Sequence, residues 1–421
     1  MAKMLRQGKR FGMVAMAMLL SGALLLGSVM PVKAAEEKVV KIGFHGIYTG
    51  ALATTGVPAG NAITDYISMI NEKGGVDGVE IKLLWEETRG EVPRAITTHR
   101  RFLAAGVMAE ISGTLAQQQA MTRALQRDEI PCVQLTCHGP GTLTKPIRWG
   151  FAVIPDYQDL GGVAIRWFNE NWTEARRPRV GFIGYDHTSV YEWEDGIKRA
   201  CEELDVKLVG REIVPMFGAI DTSVEWLRLA GKQPDLIMCG GCGATLTTLM
   251  KDCQRLEIRK GGIELMEFGM CTWESGRVAG AKACEGWYIV GFRAQPTDVE
   301  SPGMKGLLKE ATERWERVED VPAIYVQAWI TIAVLVEGIR LAVQKVGFKD
   351  LSGRAIRDGL ASIRDFDVAG LWAPVTMSDD RPYVMTGAKM YRFQDGIWVP
   401  ISRLYEFPGY FEDLVPVYER G

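Results

Sequence analysis

The spacing of apolar residues in positions 39–85 is first strand-like, then helical and then alternating. A mostly apolar run at 39–44 predicts a short buried strand. Ile63, Ile67 and Ile70 recur at three- and four-residue steps, which predicts one face of an amphipathic helix. Gly74-Gly75 is expected to end that helix, and apolar residues then occupy every second position from 79 to 85. This stretch therefore predicts a βαβ unit.

Strands and helices alternate through the rest of the chain. Further strands are predicted at 107–112, 132–136, 149–155, 180–185, 207–214, 236–239, 263–270 and 287–292. Helices are predicted at 93–105, 115–127, 160–171, 191–204, 223–230, 244–256, 303–318, 323–346 and 351–363. Near the end, strand-like runs at 391–393 and 397–401 are split by Asp395-Gly396, which predicts a hairpin. The pattern predicts an α/β fold with two lobes of similar size, each built on a mostly parallel sheet covered on both faces.

The N-terminal segment has the composition of an export signal. Four basic residues within positions 3–10 precede an apolar run at 11–30, and small residues at 32–35 offer a cleavage site. This predicts a secretory signal peptide over residues 1–35. A retained membrane anchor is the alternative, because the apolar run approaches the roughly 20 residues that span a bilayer.

The overall composition is that of an ordinary globular protein, with 47% hydrophobic and 24% charged residues among 421. This length exceeds what one hydrophobic core normally supports, so two domains are expected. Five of the 49 Lys and Arg lie in residues 1–35, which leaves 44 against 52 Asp and Glu and a net charge of −8 after cleavage. Beyond the N-terminal segment the sequence has no basic stripe or cluster that would suggest nucleic acid, so no nucleic-acid partner is expected.

Five short motifs in the opening unit occur together and in order, and they carry a resemblance. They are Lys41-Ile42-Gly43, Tyr48-Thr49-Gly50, Gly56, Ile70-Asn71 and Gly74-Gly75. This stretch resembles the start of the mature substrate-binding proteins of branched-chain amino-acid ABC transporters, the leucine/isoleucine/valine-binding type. The resemblance extends over roughly residues 38–405.

The resemblance implies two doubly wound, Rossmann-like lobes joined by a hinge that the chain crosses three times, the type I periplasmic binding fold. It places the first lobe at 36–157 plus 290–365 and the second at 158–289 plus 366–421. Ligands of open parallel sheets bind at the carboxyl ends of the strands, so the loops that follow each strand are the candidate site. Two facing lobes would form a cleft that closes on its ligand.

Three loops of the first lobe carry candidate ligand contacts. The resemblance places contacts near Thr54 and Thr55, and at the start of the helix that opens at Leu115. Free N–H groups at such a helix start favour a carboxylate. The family typically has a serine near Ala116; here the hydroxyl is missing, and Gln117 is a candidate substitute. In the third loop, Cys137, His138 and Gly139 are candidates, and Gly139 stands near a threonine of the amino-acid binders. For each, a purely structural role is the alternative.

The second lobe and the hinge supply the remaining candidates. Tyr185 and Tyr191 could close over an apolar or ring-bearing ligand. Trp273 and Glu274 follow a later strand, and Glu274 could meet a ligand amine, as an acidic residue does in the amino-acid binders. Tyr325 stands where the family tends to place an aromatic residue at the hinge. Plain packing is the alternative for each aromatic side chain.

The pair Cys239 and Cys242 is the motif that most strongly suggests a function other than solute binding. A Cys-x-x-Cys motif between a strand and a helix is the local setting of a thioredoxin-like redox pair, although the surrounding order of elements does not match that fold. Structural thiols, a local disulfide and a metal site are the other interpretations of this pair. The sequence contains no Ser-His-Asp set, Walker loop or HExxH motif, so neither catalysis nor a metal site is expected, and no cofactor.

The sequence therefore predicts a periplasmic, non-enzymatic binding protein that captures a small polar or carboxylate-bearing solute and delivers it to an ABC permease. An amino acid is the default ligand by resemblance. The missing hydroxyls at Ala116 and Gly139 argue against an ordinary branched-chain amino acid, and they leave aromatic acids, amides and urea-like solutes open. A monomer is expected. A ligand sensor of the same fold and a redox protein are the alternatives.

Overall fold

The computed structural model describes residues 38–136, 149–269, 272–372, 374–379 and 387–410. Its strands and helices fall into two sheets with helices packed on both faces. This is the α/β arrangement that the alternating pattern predicts, so the predicted fold class is confirmed.

The first sheet has five parallel strands in the order β2-β1-β3-β4-β5. Its strands are β1 (Val39–Gly46), β2 (Glu80–Glu87), β3 (Ala109–Ser112), β4 (Cys132–Gln134) and β5 (Gly150–Ala152). All four residues of β3 are buried, as expected for a strand covered on both faces.

The second sheet has the order β12-β11-β10-β9-β8-β6-β7, and β13 pairs with β11 outside this path. The strands are β6 (Arg179–Tyr185), β7 (Lys207–Val214), β8 (Leu236–Gly240), β9 (Glu264–Glu267), β10 (Tyr288–Gly291), β11 (Gly387–Gln394), β12 (Ile397–Pro400) and β13 (Tyr405–Glu406). Strands β6 to β10 are parallel, whereas β11 runs antiparallel to β10 and forms the predicted hairpin with β12.

Twelve α-helices occur in the described residues. They are α1 (Ala53–Glu72), α2 (Val92–Ala104), α3 (Leu115–Asp128), α4 (Tyr157–Glu170), α5 (Thr188–Glu203), α6 (Ser223–Ala230), α7 (Gly243–Arg255), α8 (Thr272–Ala279), α9 (Ala281–Cys284), α10 (Pro302–Ala311), α11 (Ala323–Val346) and α12 (Gly353–Ala361). Short 3-10 turns lie at Ile258–Gly261, Val318–Asp320 and Phe348–Asp350.

Two large hydrophobic cores correspond to the two sheets. The first core joins β1 and β3 to α1, α11 and α12, and the second joins β6, β8 and β9 to α4, α5 and α7. The chain therefore passes three times between the cores: after β5, after β10 and after α12. Val368 and Met377 pack in the first core, although the sequence assigned residues 366–421 to the second lobe. The lobe boundaries themselves stay a prediction.

The helix predicted at 303–318 is too long. Helix α10 ends at Ala311, and a 3-10 turn occupies Val318–Asp320. Trp315 and Val318 nevertheless pack against the first core, so their apolar spacing continues the helical pattern beyond the helix. Apolar spacing indicates which side chains are buried, and side chains outside a helix can be buried at the same spacing. The pattern therefore predicts a longer helix than the one that forms.

Helix α11 passes through the middle of the first core. Among the described residues it is the one helix long and apolar enough to cross a membrane, but 78% of its most apolar window is buried inside the protein. Seventeen of its 24 residues are buried, and its bounds are those that the apolar periodicity predicts. Its start lies beside the candidate site.

Candidate functional site

A cavity lies where the carboxyl ends of strands from both sheets face each other. It offers about 50 Å³ to the centres of water-sized molecules. The side chains that line it follow β1, β3 and β4 of the first sheet and β6, β7 and β8 of the second, with the starts of α4 and α11 between them. The lining residues are Phe44, Ile47, Leu52, Thr55, Gly56, Gly113, Thr114, Leu115, Leu135, Thr136, Tyr157, Tyr185, His187, Ser189, Met216, Cys242 and Ile324. Open α/β sheets bind ligands at this edge.

The loops around the cavity touch across the two sheets. The N–H of Ala244, in the first turn of α7, donates to the carbonyl oxygen of Ala51 at 3.0 Å. Gly243 precedes it with a positive φ of 62°, and a Cβ there would overlap the Ala51 carbonyl. Leu52 and Leu115, which follow strands of the first sheet, pack in the second core. The conformation is therefore one in which the two halves of the cavity are in contact.

Helix α3 presents its first turn to the cavity. Its N-cap Thr114 accepts a hydrogen bond from the N–H of Gln117 at 3.3 Å through Oγ1. That bond satisfies one of the free donors of the first turn, while the N–H groups of Leu115 and Ala116 have no acceptor in the helix itself. Leu115 lines the cavity. This helix start can therefore donate to a ligand oxygen.

The polar wall contributed by the second sheet consists of Tyr185, His187 and Ser189. His187 is the N-cap of α5, and its Nδ1 accepts from the N–H of Ser189 at 3.2 Å and lies 2.8 Å from Ser189 Oγ. Because Nδ1 accepts a hydrogen bond, the proton of the neutral ring is on Nε2. Burial lowers the pKa of His187 to about 4, so the ring is uncharged at neutral pH. The wall thus offers neutral donors.

Three of the sequence-predicted site residues lie on this cavity: Thr55, Leu115 and Tyr185. Tyr185 is almost fully buried, and desolvation raises the pKa of its hydroxyl. Cys137, His138 and Gly139 lie outside the described residues. Ligand contacts by any of them stay predictions.

Other predicted residues of the first sheet's loops and the hinge are not part of the described cavity lining. Thr54 is exposed, next to the lining residue Thr55. Ala116 follows the lining residue Leu115 but is not part of the cavity wall. Gln117 is fully buried, and its amide donates to Thr88 Oγ1 at 2.9 Å, which ties α3 to the end of β2. Tyr325 donates its hydroxyl to Asp65 at 2.8 Å within the first core.

The predicted residues Tyr191, Trp273 and Glu274 also have other partners. The Tyr191 hydroxyl donates to Asp186 at 2.6 Å on the surface. Trp273 lines a separate cavity of about 260 Å³, together with Arg277, Arg317 and Trp398. Glu274 is buried, and its Oε1 accepts from the N–H of Ile324 at 2.9 Å, so it caps the start of α11. Burial raises the pKa of Glu274, and the hydrogen bond from Ile324 opposes that shift.

Several lining residues are absent from the sequence-based candidates, notably Tyr157, His187, Ser189, Met216 and Ile324. His187 and Met216 come two residues after the ends of β6 and β7, so the rule that a loop after a strand forms the site could have found them. Tyr157 opens α4 after the capping residue Asp156. Ile324 belongs to α11, which is distant in sequence from the other lining residues and reaches the cavity only through folding.

The cysteine pair is not a redox pair in this structure. Cys239 is a free thiol, fully buried in β8, and burial raises its pKa well above the usual range. A redox-active cysteine needs the opposite shift. Cys242 is disulfide-bonded, and its partner is not Cys239. A local disulfide between the two is therefore excluded. In the described residues, no cluster of three or more His, Cys, Asp or Glu is arranged to hold a metal ion.

Comparison with solved structures supports this architecture. The chain resembles a branched-chain amino acid ABC transporter protein from Thermus thermophilus with bound valine, at a TM-score of 0.79 and 15% identity, covering 91% of this chain and 100% of that one. It also resembles a fatty acid ABC transporter substrate-binding protein from Thermomonospora curvata, at a TM-score of 0.77 and 16% identity, covering 89% and 94%. A solute-binding protein of an ABC transporter from R. palustris, in complex with benzoate, gives a TM-score of 0.73 at 16% identity, covering 88% and 97%. At these identities the likeness shows the fold.

No curated protein sequence matches the chain. A family model described as periplasmic binding protein matches residues 39–396, which is most of the chain. Proteins of this family and fold bind substrates and are not enzymes. The chain belongs to the periplasmic binding protein family.

Proposed function

We propose that this protein is an exported solute-binding protein, which captures a small polar or carboxylate-bearing solute in the cavity and delivers it to an ABC permease. The observation that carries this is the cavity between the facing strand ends, closed by the Ala51–Ala244 hydrogen bond. A cavity formed by two sheets can open to admit a ligand and close on it.

Export and hinge motion complete the proposal. Residues 1–35 act as a cleaved signal peptide that directs the chain to the periplasm. Residues 36–157 plus 290–365 and residues 158–289 plus 366–421 act as the two lobes. The protein works as a monomer, and the permease recognises its closed form. Amino acids and carboxylic acids are the first ligands to test, since a related fold carries valine and another carries benzoate.

Thermal unfolding in the presence of candidate solutes tests the binding function. Amino acids, aromatic and aliphatic acids, amides and ureas are each added to the purified protein. A solute that binds the folded state raises the midpoint in a concentration-dependent way, by mass action. A folded protein whose midpoint responds to none of these solutes would contradict the proposed function.

A neighbouring pair of threonines provides a matched test of the site. Thr55→Trp places a large ring in the cavity, whereas Thr54→Trp places the same ring on the exposed side of α1. We expect Thr55→Trp to weaken solute binding by about tenfold or more and Thr54→Trp to retain it. In cells that lack the native protein, only Thr54→Trp should restore uptake of that solute. Equal binding by both variants would show that the solute is held elsewhere.

A further inference from the structure

The described lining of the cavity contains no Asp, Glu, Lys or Arg. Its side chains are mainly apolar, and its polar members are three threonines, one serine, two tyrosines, the neutral ring of His187 and the disulfide-bonded Cys242. A charged ligand group in such a site gains little from side-chain ion pairs. It must be satisfied by neutral hydrogen-bond partners or be absent from the ligand.

The carboxylates beside lining residues have partners of their own in the described structure. Asp186, between Tyr185 and His187, accepts from the Tyr191 hydroxyl at 2.6 Å. Glu274 caps α11 by accepting from Ile324 through Oε1; its Oε2 is buried without a hydrogen-bond partner, and the residue is not part of the described cavity lining. Asp156, next to Tyr157, caps α4 by accepting from the N–H of Asp159 at 2.8 Å. Asp159 in turn accepts from the N–H of Tyr410 at 2.7 Å. In the described lining, a ligand ammonium group would therefore meet no carboxylate of the kind that a desolvated cation needs.

The cavity does offer hydrogen-bond donors. Thr114 Oγ1 accepts from Gln117, so its hydroxyl proton is free to point towards another acceptor. His187 Nε2 carries the ring proton, because Nδ1 accepts from Ser189. The N–H of Leu115 adds a donor at the start of α3, where the helix dipole favours a negative group. Donors from both sheets thus suit the oxygens of one carboxylate.

From this distribution we infer that the ligand is a monocarboxylate with an apolar, amine-free body, and that the corresponding α-amino acid is rejected. The apolar wall of Phe44, Leu52, Leu135 and Met216 takes the body, and the donors at Thr114, Leu115 and His187 take the carboxylate. This inference rests on the proposed solute-binding function and narrows its ligand class.

Calorimetric titration with matched ligand pairs tests the inference. The pairs are 4-methylpentanoate with leucine and 3-phenylpropanoate with phenylalanine, which differ in the α-ammonium group. The neutral 4-methylpentanamide is the third probe. We expect at least one of the two carboxylates to bind, its amino acid to bind about tenfold more weakly or worse, and 4-methylpentanamide to bind more weakly than 4-methylpentanoate.

The outcomes separate this inference from the proposed function. If leucine or phenylalanine binds as tightly as its carboxylate, the inference is wrong and the binding function stands. Tighter binding of the amide than of 4-methylpentanoate would also overturn it. If only amides or ureas from the wider set bind, the carboxylate assignment again fails while solute binding survives. If no solute binds to the folded protein, both the ligand inference and the proposed binding function are wrong.

A capping substitution tests the role of His187. Asn is a good N-cap residue, so His187→Asn retains the cap of α5 while removing the imidazole N–H. We expect it to weaken binding of the carboxylate probe about tenfold while the protein stays folded. Ser352→Asn makes the same kind of change at the N-cap of α12, away from the cavity, and should leave binding unchanged. Unchanged carboxylate binding by His187→Asn would remove His187 from the carboxylate site.

Discussion

At the scale of single residues, the His187 ring is held neutral by its burial and by the hydrogen bond that its Nδ1 accepts from Ser189. Its folded-state pKa of about 4 lies below the ordinary value of 6.5. A base with a lowered folded-state pKa contributes stability that is fully present above its unfolded pKa and is lost as pH falls. The relevant window runs from about pH 6.5 down to about pH 4.

We therefore expect the wild-type protein to lose more stability than His187→Asn when pH falls from 7 to 5. The difference should be on the order of 1 kcal/mol, because the unfolded chain protonates a histidine that the fold keeps neutral. Urea unfolding at the two pH values measures it. Other groups titrate in both proteins and cancel in the comparison. An equal loss in both proteins would show that His187 is protonated in the fold.

Cys239 provides a second prediction at this scale. Its thiol is fully buried and its pKa is raised, and the thiolate is the form that reacts. We expect a thiol-alkylating reagent at neutral pH to leave Cys239 unmodified in the folded protein and to modify it after unfolding, as measured by peptide mass spectrometry. An exposed cysteine introduced as Thr97→Cys is the positive control. Rapid labelling of Cys239 in the native state would restore the redox interpretation.

How far the sequence predicts the site depends on whether a residue's partner is local. Leu115 lies three residues after β3 and Tyr185 ends β6, and the position of a strand end can be read from a short window. Thr55 lies in α1, and it is the family resemblance that indicates it. Glu274 was expected to meet a ligand amine, but the start of α11 supplies the N–H that it binds. Glu274 and Ile324 are brought together by the chain's passage between the two cores. No local pattern contains that information.

At the scale of elements, α7 begins at the point where the two sheets' loops meet. Gly243 has a positive φ and no room for a Cβ beside Ala51. We expect Gly243→Ala to weaken solute binding by about tenfold, because the added methyl group separates α7 from the Ala51 loop that closes the cavity. It should also cost on the order of 1 kcal/mol of stability through its positive φ. Calorimetry and urea unfolding measure the two effects.

The control for this prediction is Gly262→Ala. Gly262 has a similar positive φ of 80°, but no atom lies within 4 Å of the position that its Cβ would take. Gly262→Ala therefore carries the backbone cost without the clash, and we expect normal solute affinity. If both variants lose affinity equally, the effect comes from lost stability and the Ala51–Ala244 contact has no role in closure.

The boundaries of elements are predictable where one face is continuously apolar and its ends carry clear signals. Strand β7, helix α6 and helix α11 have the bounds that their residue patterns predict. The pattern fails after α10, where Trp315 and Val318 are partly buried in turns. The sheet order β2-β1-β3-β4-β5 is not written in any single element, since it depends on which strands pair after folding. The family resemblance implied doubly wound lobes and gave no strand order.

At the scale of the whole molecule, the contacts across the two sheets differ in kind from those inside each sheet. Among the described residues, the hydrogen bonds from Ala244 to Ala51 and from Ile324 to Glu274 join the loops of one sheet to the elements of the other. Opening between the sheets would break these contacts and leave the sheets intact.

Hydrogen exchange of single amides tests this motion. The amides of Ala244 and Ile324 donate across the cavity, so each exchanges when the two halves separate. A bound solute favours the closed form, and we expect it to slow exchange at both amides by about tenfold or more at saturation. The amide of Asp235 donates to Arg179 within the second sheet at 2.7 Å and should be much less affected, which makes it the internal reference. Equal slowing at all three amides would indicate uniform stabilisation of one rigid body and would contradict hinge opening as the route by which the solute enters.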